Sequence, residues 1–303
     1  MRHSLMNKTL LALALAGSLA PSVHAQTQTP LGELSGSGQV AYESQYVFRG
    51  KKLADSSIQP KAEIGTQIGP DGNAYVGGWS NEPVSRRTNV GGPDQSNEID
   101  VFGGLTYSLP FMQGLQVDVG DTYYWYPESG NTPIFGLPGS TRVTRTDEAY
   151  AGLSFDTSST MTSILHGQNL NPSVYYYHDF MLDSNTVEVS MTTTWDLTHV
   201  VGFSGLSFIP TVLGGWYHAN RSFGDSFNTG IVGNPHANWK NGYLYWKAGV
   251  ELDYNISPYC YVFGELDYEG NNDGTTHGFA GTNPQIGGTQ NSTWFGIGLK
   301  FRK

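Results

Sequence analysis

The chain has 303 residues, 16 of them basic and 26 acidic, and this balance argues against nucleic-acid binding and against a polybasic membrane-binding surface. Its single cysteine excludes an internal disulfide framework. The 39 glycines, 18 tyrosines, 14 phenylalanines and 7 tryptophans are typical of an all-β protein, including a barrel that alternates lipid-facing and water-facing residues.

The N-terminal segment has the parts of a secretory signal peptide. Arg2 and Lys8 supply positive charge, residues 9–20 form a short apolar run, and the small residues Val23 and Ala25 precede the expected cleavage site. We therefore expect residues 1–25 to be a signal peptide, residues 26–36 a flexible leader and residues 37–303 a single domain. No later stretch approaches the roughly eighteen apolar residues of a transmembrane helix.

Alternation of apolar and polar residues predicts long antiparallel strands along the rest of the chain. In residues 185–197, for example, Val189 and Met191 lie on one face, while Glu188 and Ser190 lie on the other. Runs of about ten to thirteen residues suit a tilted membrane strand. We predict twelve strands, at about residues 38–49, 58–69, 73–81, 96–107, 114–126, 146–156, 171–180, 185–197, 206–218, 241–254, 258–269 and 291–302.

The predicted connections alternate in length. Turn-rich segments such as 69–73 and 255–258 are short, whereas 82–95 and 219–240 are long. Aromatic residues cluster near both predicted rims, as the girdles of membrane barrels do. The sequence therefore predicts an all-β fold, a single antiparallel transmembrane β-barrel of about twelve strands. Short periplasmic turns, long external loops and two periplasmic termini complete this prediction.

Three stretches resemble a known family. Residues 44–50 (SQYVFRG) resemble the S-x-Y-x-F-R-G signature of the TorF-family porins of Gram-negative outer membranes. Residues 123–127 (YYWYP) and 146–155 (TDEAYAGLSF) are similar to that family's aromatic strand and to the strand that follows it. The resemblance covers the first half of the chain by motif and the second half only by pattern. It implies a bacterial outer-membrane channel for small hydrophilic solutes, with membrane lipid and the barrel-assembly machinery as partners.

The same alternation assigns most charged side chains to the inside of the predicted barrel. A charge on the lipid-facing side costs roughly 2–4 kcal/mol at the midplane, and that face has almost none. Asp121 is the exception, and it would face lipid unless it lies near a rim or a bulge at Gly120 shifts the alternation. The candidate lumen-lining residues are Arg49, Glu43, Lys61, Glu63, Glu98, Asp100, Asp118, Glu148, Glu188, Lys247, Glu251 and Glu265.

Arg49 is predicted at the outer end of the first strand. The alternation turns its side chain into the lumen, towards Glu63, Glu98 or their neighbours, and turns Tyr46 and Phe48 outward. We expect Arg49 to brace the barrel wall rather than to select solutes.

Two functions fit such an interior. An acidic, water-filled lumen would favour cations and neutral polar solutes, whereas interlocking acids and bases would plug the bore of a non-conducting, structural or adhesive barrel. A lipid-modifying enzyme with His178 or His218 at the rim is a further alternative, although no serine-hydrolase motif or metal-ligand spacing is visible. We expect no catalytic residue, cofactor or metal, and the sequence leaves the oligomeric state open.

Overall fold

The computed structural model describes residues 28–29, 32–84, 97–127, 145–157, 169–202, 204–219, 242–272 and 290–302. The predicted signal peptide and parts of the predicted long loops lie outside these residues. The described elements are β1 (Gln28–Thr29), β2 (Gly32–Glu43), β3 (Tyr46–Phe48), β4 (Lys51–Ala54), β5 (Ser57–Ile68), β6 (Gly72–Pro83), β7 (Glu98–Ser108), β8 (Leu115–Trp125), β9 (Arg145–Phe155), β10 (Asn169–Asp179), β11 (Ser184–Asp196), α1 (Thr198–Val201), β12 (Leu206–Ala219), β13 (Gly242–Ser257), β14 (Cys260–Asn271) and β15 (Gln290–Arg302).

Twelve strands, β2 and β5 to β15, close into one antiparallel barrel. From β5 to β15 each strand pairs with the next along the chain, and β2 pairs with both β15 and β5. Closure leaves no strand edge of the barrel unpaired, which removes the aggregation hazard of an open sheet. The predicted all-β fold with twelve antiparallel strands is confirmed.

The strand boundaries agree with the alternation except at the start. Eleven predicted strands lie within three residues of the observed ones at each end. The first does not, because β2 spans Gly32–Glu43 instead of residues 38–49. It begins inside the range 26–36, where the sequence suggested a flexible leader.

The two ends of the barrel differ in their connections. One end, called the turn rim, carries the short connections 69–71, 109–114 and 258–259, and also α1. The opposite end, called the loop rim, carries the connections after β6, β8, β12 and β14. Those four connections are long, whereas the connection 180–183 between β10 and β11, also at the loop rim, has only four residues.

The outer face of the barrel is apolar. Among the described residues, no helix is long and apolar enough to cross a membrane. Large apolar side chains with more than a third of their surface exposed recur at every second position of the strands: Ile64, Val76, Val101, Leu105, Val119, Leu153, Val174, Val189, Met191, Val212, Leu244, Val250, Leu252, Leu266, Phe295, Ile297 and Leu299.

Asp121 lies on this outer face. Strand β8 pairs with β7 and β9 without a register shift, so no bulge at Gly120 turns the carboxylate inward. The next two residues on the same face are Tyr123 and Trp125, which are exposed at the loop rim. Asp121 is therefore the outward-facing residue next to Tyr123, on the side away from the loop rim. Exposed tyrosine and tryptophan side chains of this kind are found at membrane–water interfaces.

Candidate functional site

The segment between β2 and β5 folds back into the barrel. Strands β3 and β4 pair as a hairpin, and residues 44–56 are here called the inner hairpin. At its tip, Arg49 and Gly50 have φ angles of 49° and 72°, the positive values of a two-residue type I′ turn. The strand order places β9 and β10 on the side of the barrel opposite β2. Because the tip reaches those strands, the inner hairpin crosses the bore.

The tip is held by an ion pair between Arg49 and Glu148 of β9. Nη1 and Nη2 of Arg49 donate hydrogen bonds to the two carboxylate oxygens of Glu148, at 2.7 and 2.9 Å. The guanidinium also lies 4.8 Å from the ring centroids of Phe48 and Tyr177. The two charged side chains are 9% and 4% exposed. A bidentate, aromatic-flanked and desolvated pair of this kind is among the stronger polar contacts in proteins.

Further contacts fix the rest of the inner hairpin. Asn271 of β14 donates a hydrogen bond from Nδ2 to the carbonyl oxygen of Gly50, at 2.6 Å. The Tyr46 ring lies 5.2 Å from the Trp79 ring of β6, centroid to centroid, and the Tyr46 hydroxyl donates to Glu98 of β7. The inner hairpin is therefore attached to several parts of the barrel wall.

The structure differs here from the sequence-based expectation. The alternation predicts that the first strand continues to Arg49, with Tyr46 and Phe48 facing outward. Instead β2 ends at Glu43, the chain turns inward, and Tyr46 is only 9% exposed. The sequence suggested Glu63, Glu98 or their neighbours as partners of Arg49. The observed partner is Glu148, because the tip of the inner hairpin carries Arg49 across the bore to β9.

A second cluster on the inner wall joins three tyrosines to one carboxylate. Tyr75 of β6 and Tyr175 of β10 donate hydrogen bonds from their hydroxyls to the two oxygens of Asp118, at 2.7 and 3.0 Å. The hydroxyl of Tyr75 also contacts that of Tyr150. This carboxylate therefore cross-links strands that are not all neighbours in the sheet.

Several inner rings cover glycines of the adjacent strand. A Cβ atom added at Gly152 would fall on the ring of Tyr175, and one added at Gly298 would lie 2.7 Å from the ring of Phe263. Glycine at these positions lets the ring approach the backbone of the neighbouring strand. The rings consequently lie where the side chain of any residue other than glycine would be at these positions.

Gly152→Ala is expected to lower the free energy of unfolding by about 1–3 kcal/mol, because the new methyl group overlaps the Tyr175 ring. Urea unfolding of the refolded barrel measures this loss. Gly214→Ala is the matched control, since nothing lies within 4 Å of a Cβ added there. Equal losses in the two variants would contradict the ring–glycine contact.

Lys247 of β13 bridges two carboxylates of β14. Its Nζ lies 3.0 Å from Oδ1 of Asp267 and 3.7 Å from Oε1 of Glu269. The same ammonium group lies 4.9 Å from the centroid of the Trp294 ring. The wall thus holds one ammonium between two carboxylates and against one ring.

Lys300 of β15 repeats this arrangement towards the turn rim. Its Nζ contacts Glu251 and lies 3.3 Å from Oδ1 of Asp253, both on β13. It lies 4.4 Å from the centroid of the Phe263 ring. Two lysines therefore neutralise part of the acidic wall formed by β13, β14 and β15.

The remaining candidates also lie on the inner side of the barrel, where their positions alternate with the exposed apolar residues. Glu188 accepts a hydrogen bond from the hydroxyl of Tyr245, at 2.8 Å. Lys61 lies 5.2 Å from the centroid of the Phe102 ring, and Asp100 is buried next to Glu98. The structure does not gather the candidates into one cluster. Arg49 lies on the inner hairpin. The inner face of the wall carries the other candidates: Glu43, Lys61, Glu63, Glu98, Asp100, Asp118, Glu148, Glu188, Lys247, Glu251 and Glu265.

Sequence reasoning missed the inner tyrosines and Asn271. Tyr175 and Tyr177 fall near the loop rim, where the sequence predicts a girdle of aromatic residues, yet they share the inner face with Tyr150 and stack on each other. The signal was present, because Tyr175 and Tyr177 alternate with the apolar Val174 and the exposed Tyr176. Asn271 offers no such signal, since only the closed barrel brings it to Gly50.

The profile of a family described as "Bacterial protein of unknown function (Gcw_chp)" matches residues 27–208. This name differs from that of the TorF porins, and its description assigns no activity. No sequence among the curated proteins matches the chain.

Solved structures that are similar to this chain include a porin, an outer membrane channel and LpxR. The chain is 14% identical to the NanC porin, covering 88% of this chain and 98% of that one, with a TM-score of 0.44. It is 9% identical to the COG4313 outer membrane channel from Pseudomonas putida F1, covering 93% and 100%, with a TM-score of 0.49. For LpxR from Salmonella typhimurium the identity is 10%, the coverage 88% and 99%, and the TM-score 0.46.

Proposed function

The chain belongs to the Gcw_chp family of bacterial proteins of unknown function, and we propose that it is an outer-membrane channel for passive diffusion of small hydrophilic solutes. The observation that carries the proposal is a closed twelve-stranded barrel with an apolar outside and a charged inside. An apolar surface of this extent is typical of a surface that contacts a membrane or another protein, and closed barrels are the β-structures that can span a bilayer. The resemblance of residues 44–50 to the TorF-family porins supports the same function.

The inner wall supports passage of cations and neutral polar solutes more than of anions. Nine of the twelve candidate lumen residues are carboxylates and three are basic. A lumen lined by one sign of charge raises the local concentration of the opposite ion. The proposed channel is therefore cation-favouring and acts without catalysis. Its partners are outer-membrane lipid, small hydrophilic solutes and, during biogenesis, the barrel-assembly machinery.

A non-conducting barrel is the second candidate, and the inner hairpin favours it. Barrels of about eight strands are filled by side chains, and the diameter grows with strand number, so twelve strands leave a wider bore. The inner hairpin crosses that bore and is attached on both sides of it through Arg49 and Gly50. The two candidates differ in whether solutes pass beside the hairpin.

Planar-bilayer recording of the refolded protein distinguishes these candidates. A channel is expected to give discrete conductance steps, and a salt gradient should give a reversal potential that indicates cation preference. Charge reversal at Asp100, an inner carboxylate, should reduce that preference, whereas Asp121→Asn on the outer face should not. A barrel that inserts into the bilayer yet stays silent would leave the structural role as the better explanation.

A further inference from the structure

Glu43 and Glu265 form a third pair of carboxylates on the acidic wall. They face each other from β2 and β14 across Gly296 of β15, which pairs with both residues. A Cβ atom added at Gly296 would lie 2.5 Å from Oε2 of Glu43 and 2.6 Å from Oε1 of Glu265. Because glycine has no side chain, the two carboxylates meet directly above the strand that separates them.

Among the lysines and arginines whose side chains the structure describes, none makes an ion pair with Glu43 or Glu265. Lys247 and Lys300, on either side, make their ion pairs with other carboxylates. Glu43 is 4% exposed, and its Oε2 atom has no hydrogen-bond donor among the described residues. A buried carboxylate oxygen without a donor is costly, so the pair is suited to a cation from outside the chain.

The surroundings of the pair indicate which cation. The same wall holds an ammonium group twice, each time between two carboxylates and against an aromatic ring. Trp294 is the inner-face residue next to Gly296 on β15, and Phe263 is the inner-face residue next to Glu265 on β14. The Glu43–Glu265 pair therefore repeats the surroundings of a lysine ammonium without a lysine.

We propose that Glu43 and Glu265 form a binding site for the primary ammonium group of a solute inside the barrel. An ammonium group has three N–H donors, and two carboxylates can accept more of them than a single carboxylate can. The neighbouring rings add cation–π attraction. Glu265 is only partly buried and gives access from the bore. Passage of such solutes through the barrel rests on the proposed channel function, whereas binding at the pair does not.

The melting temperature of the refolded barrel tests binding. Ethylammonium chloride should raise it more than tetramethylammonium chloride at equal concentration, because tetramethylammonium has the same charge but no N–H donor. Glu265→Gln should weaken ethylammonium binding by about tenfold, the loss of one charge-assisted hydrogen bond. Gly296→Ala should also remove the difference between the two salts, because its methyl group would overlap oxygens of both carboxylates and displace them without changing the charge.

Asp121→Asn is the matched control, since it removes an outer carboxylate and should leave the difference between the salts intact. The proposal is overturned if the wild-type protein responds equally to both salts, as it would if the two carboxyl groups only shared a proton. It is also overturned if the difference persists in Glu265→Gln.

Bilayer recording distinguishes failure of this binding site from failure of the channel function. A barrel that binds ethylammonium but carries no current overturns the channel alone, and a conducting barrel without the salt difference overturns the site alone.

Discussion

Arg49→Ala should lower the free energy of unfolding by about 3 kcal/mol and increase the single-channel conductance several-fold. The substitution leaves Glu148, whose side chain is 4% exposed, as a buried charge without its partner. It also removes the contact that holds the tip of the inner hairpin against β9. Urea unfolding measures the loss of stability, and planar-bilayer recording measures the conductance. If Arg49 braces the hairpin and does not select solutes, ion selectivity should change little.

Two further variants separate the ion pair from the loss of side-chain volume. Arg49→Lys keeps the charge but loses the two-pronged geometry, so its stability should lie between those of the wild type and Arg49→Ala. In Arg49→Ala/Glu148→Ala the orphaned carboxylate is gone, and the double-mutant cycle reports the coupling between the two side chains. A conductance that stays at the wild-type level in Arg49→Ala would show that the hairpin remains in place without this ion pair.

Val189→Arg should destabilise the barrel in lipid by about 2–4 kcal/mol. Val189 lies near the middle of β11 and is 55% exposed on the outer face. If that face contacts the hydrocarbon core, the arginine must either enter lipid or distort the bilayer to avoid it. Urea titration of the protein folded into phospholipid vesicles measures the loss.

The adjacent residue provides the control. Ser190 lies on the inner face, where its hydroxyl is 2.7 Å from that of Ser173. Ser190→Arg should cost only about 1 kcal/mol for the lost hydrogen bond, because the new charge faces the bore. Equal losses at the two positions would be inconsistent with an outer face that contacts lipid and an inner face that contacts water.

The fold could be predicted because nearly every strand separates two different environments. In β11, Val189 and Met191 lie outside and Glu188 and Ser190 inside, and a one-residue error in register would reverse all four. The same alternation assigned the candidate residues to the inner face. Partners could not be predicted in this way, since alternation specifies a face but not which strands lie opposite one another across a closed barrel.

The path of the inner hairpin could not be predicted from the local sequence pattern. The alternation continues through Ser44 to Arg49 although the chain has left the wall, so the pattern cannot reveal that β2 stops at Glu43. The contacts that decide the path join Arg49 to a residue 99 positions away and Gly50 to one 221 positions away. The Arg49–Gly50 dipeptide was the one local signal, because glycine suits the positive φ angles of a tight hairpin turn.

The inner hairpin also has a mechanical consequence. A barrel wall is a hoop of hydrogen-bonded strands, and a hoop flattens easily because small changes at each strand pair add up around the circle. The inner hairpin is a strut across that hoop, continuous with β2 and β5 at one end and held by Glu148 of β9 at the other. Lateral pressure along this diameter is therefore carried by the strut, and the barrel should keep its cross-section in bilayers of different tension.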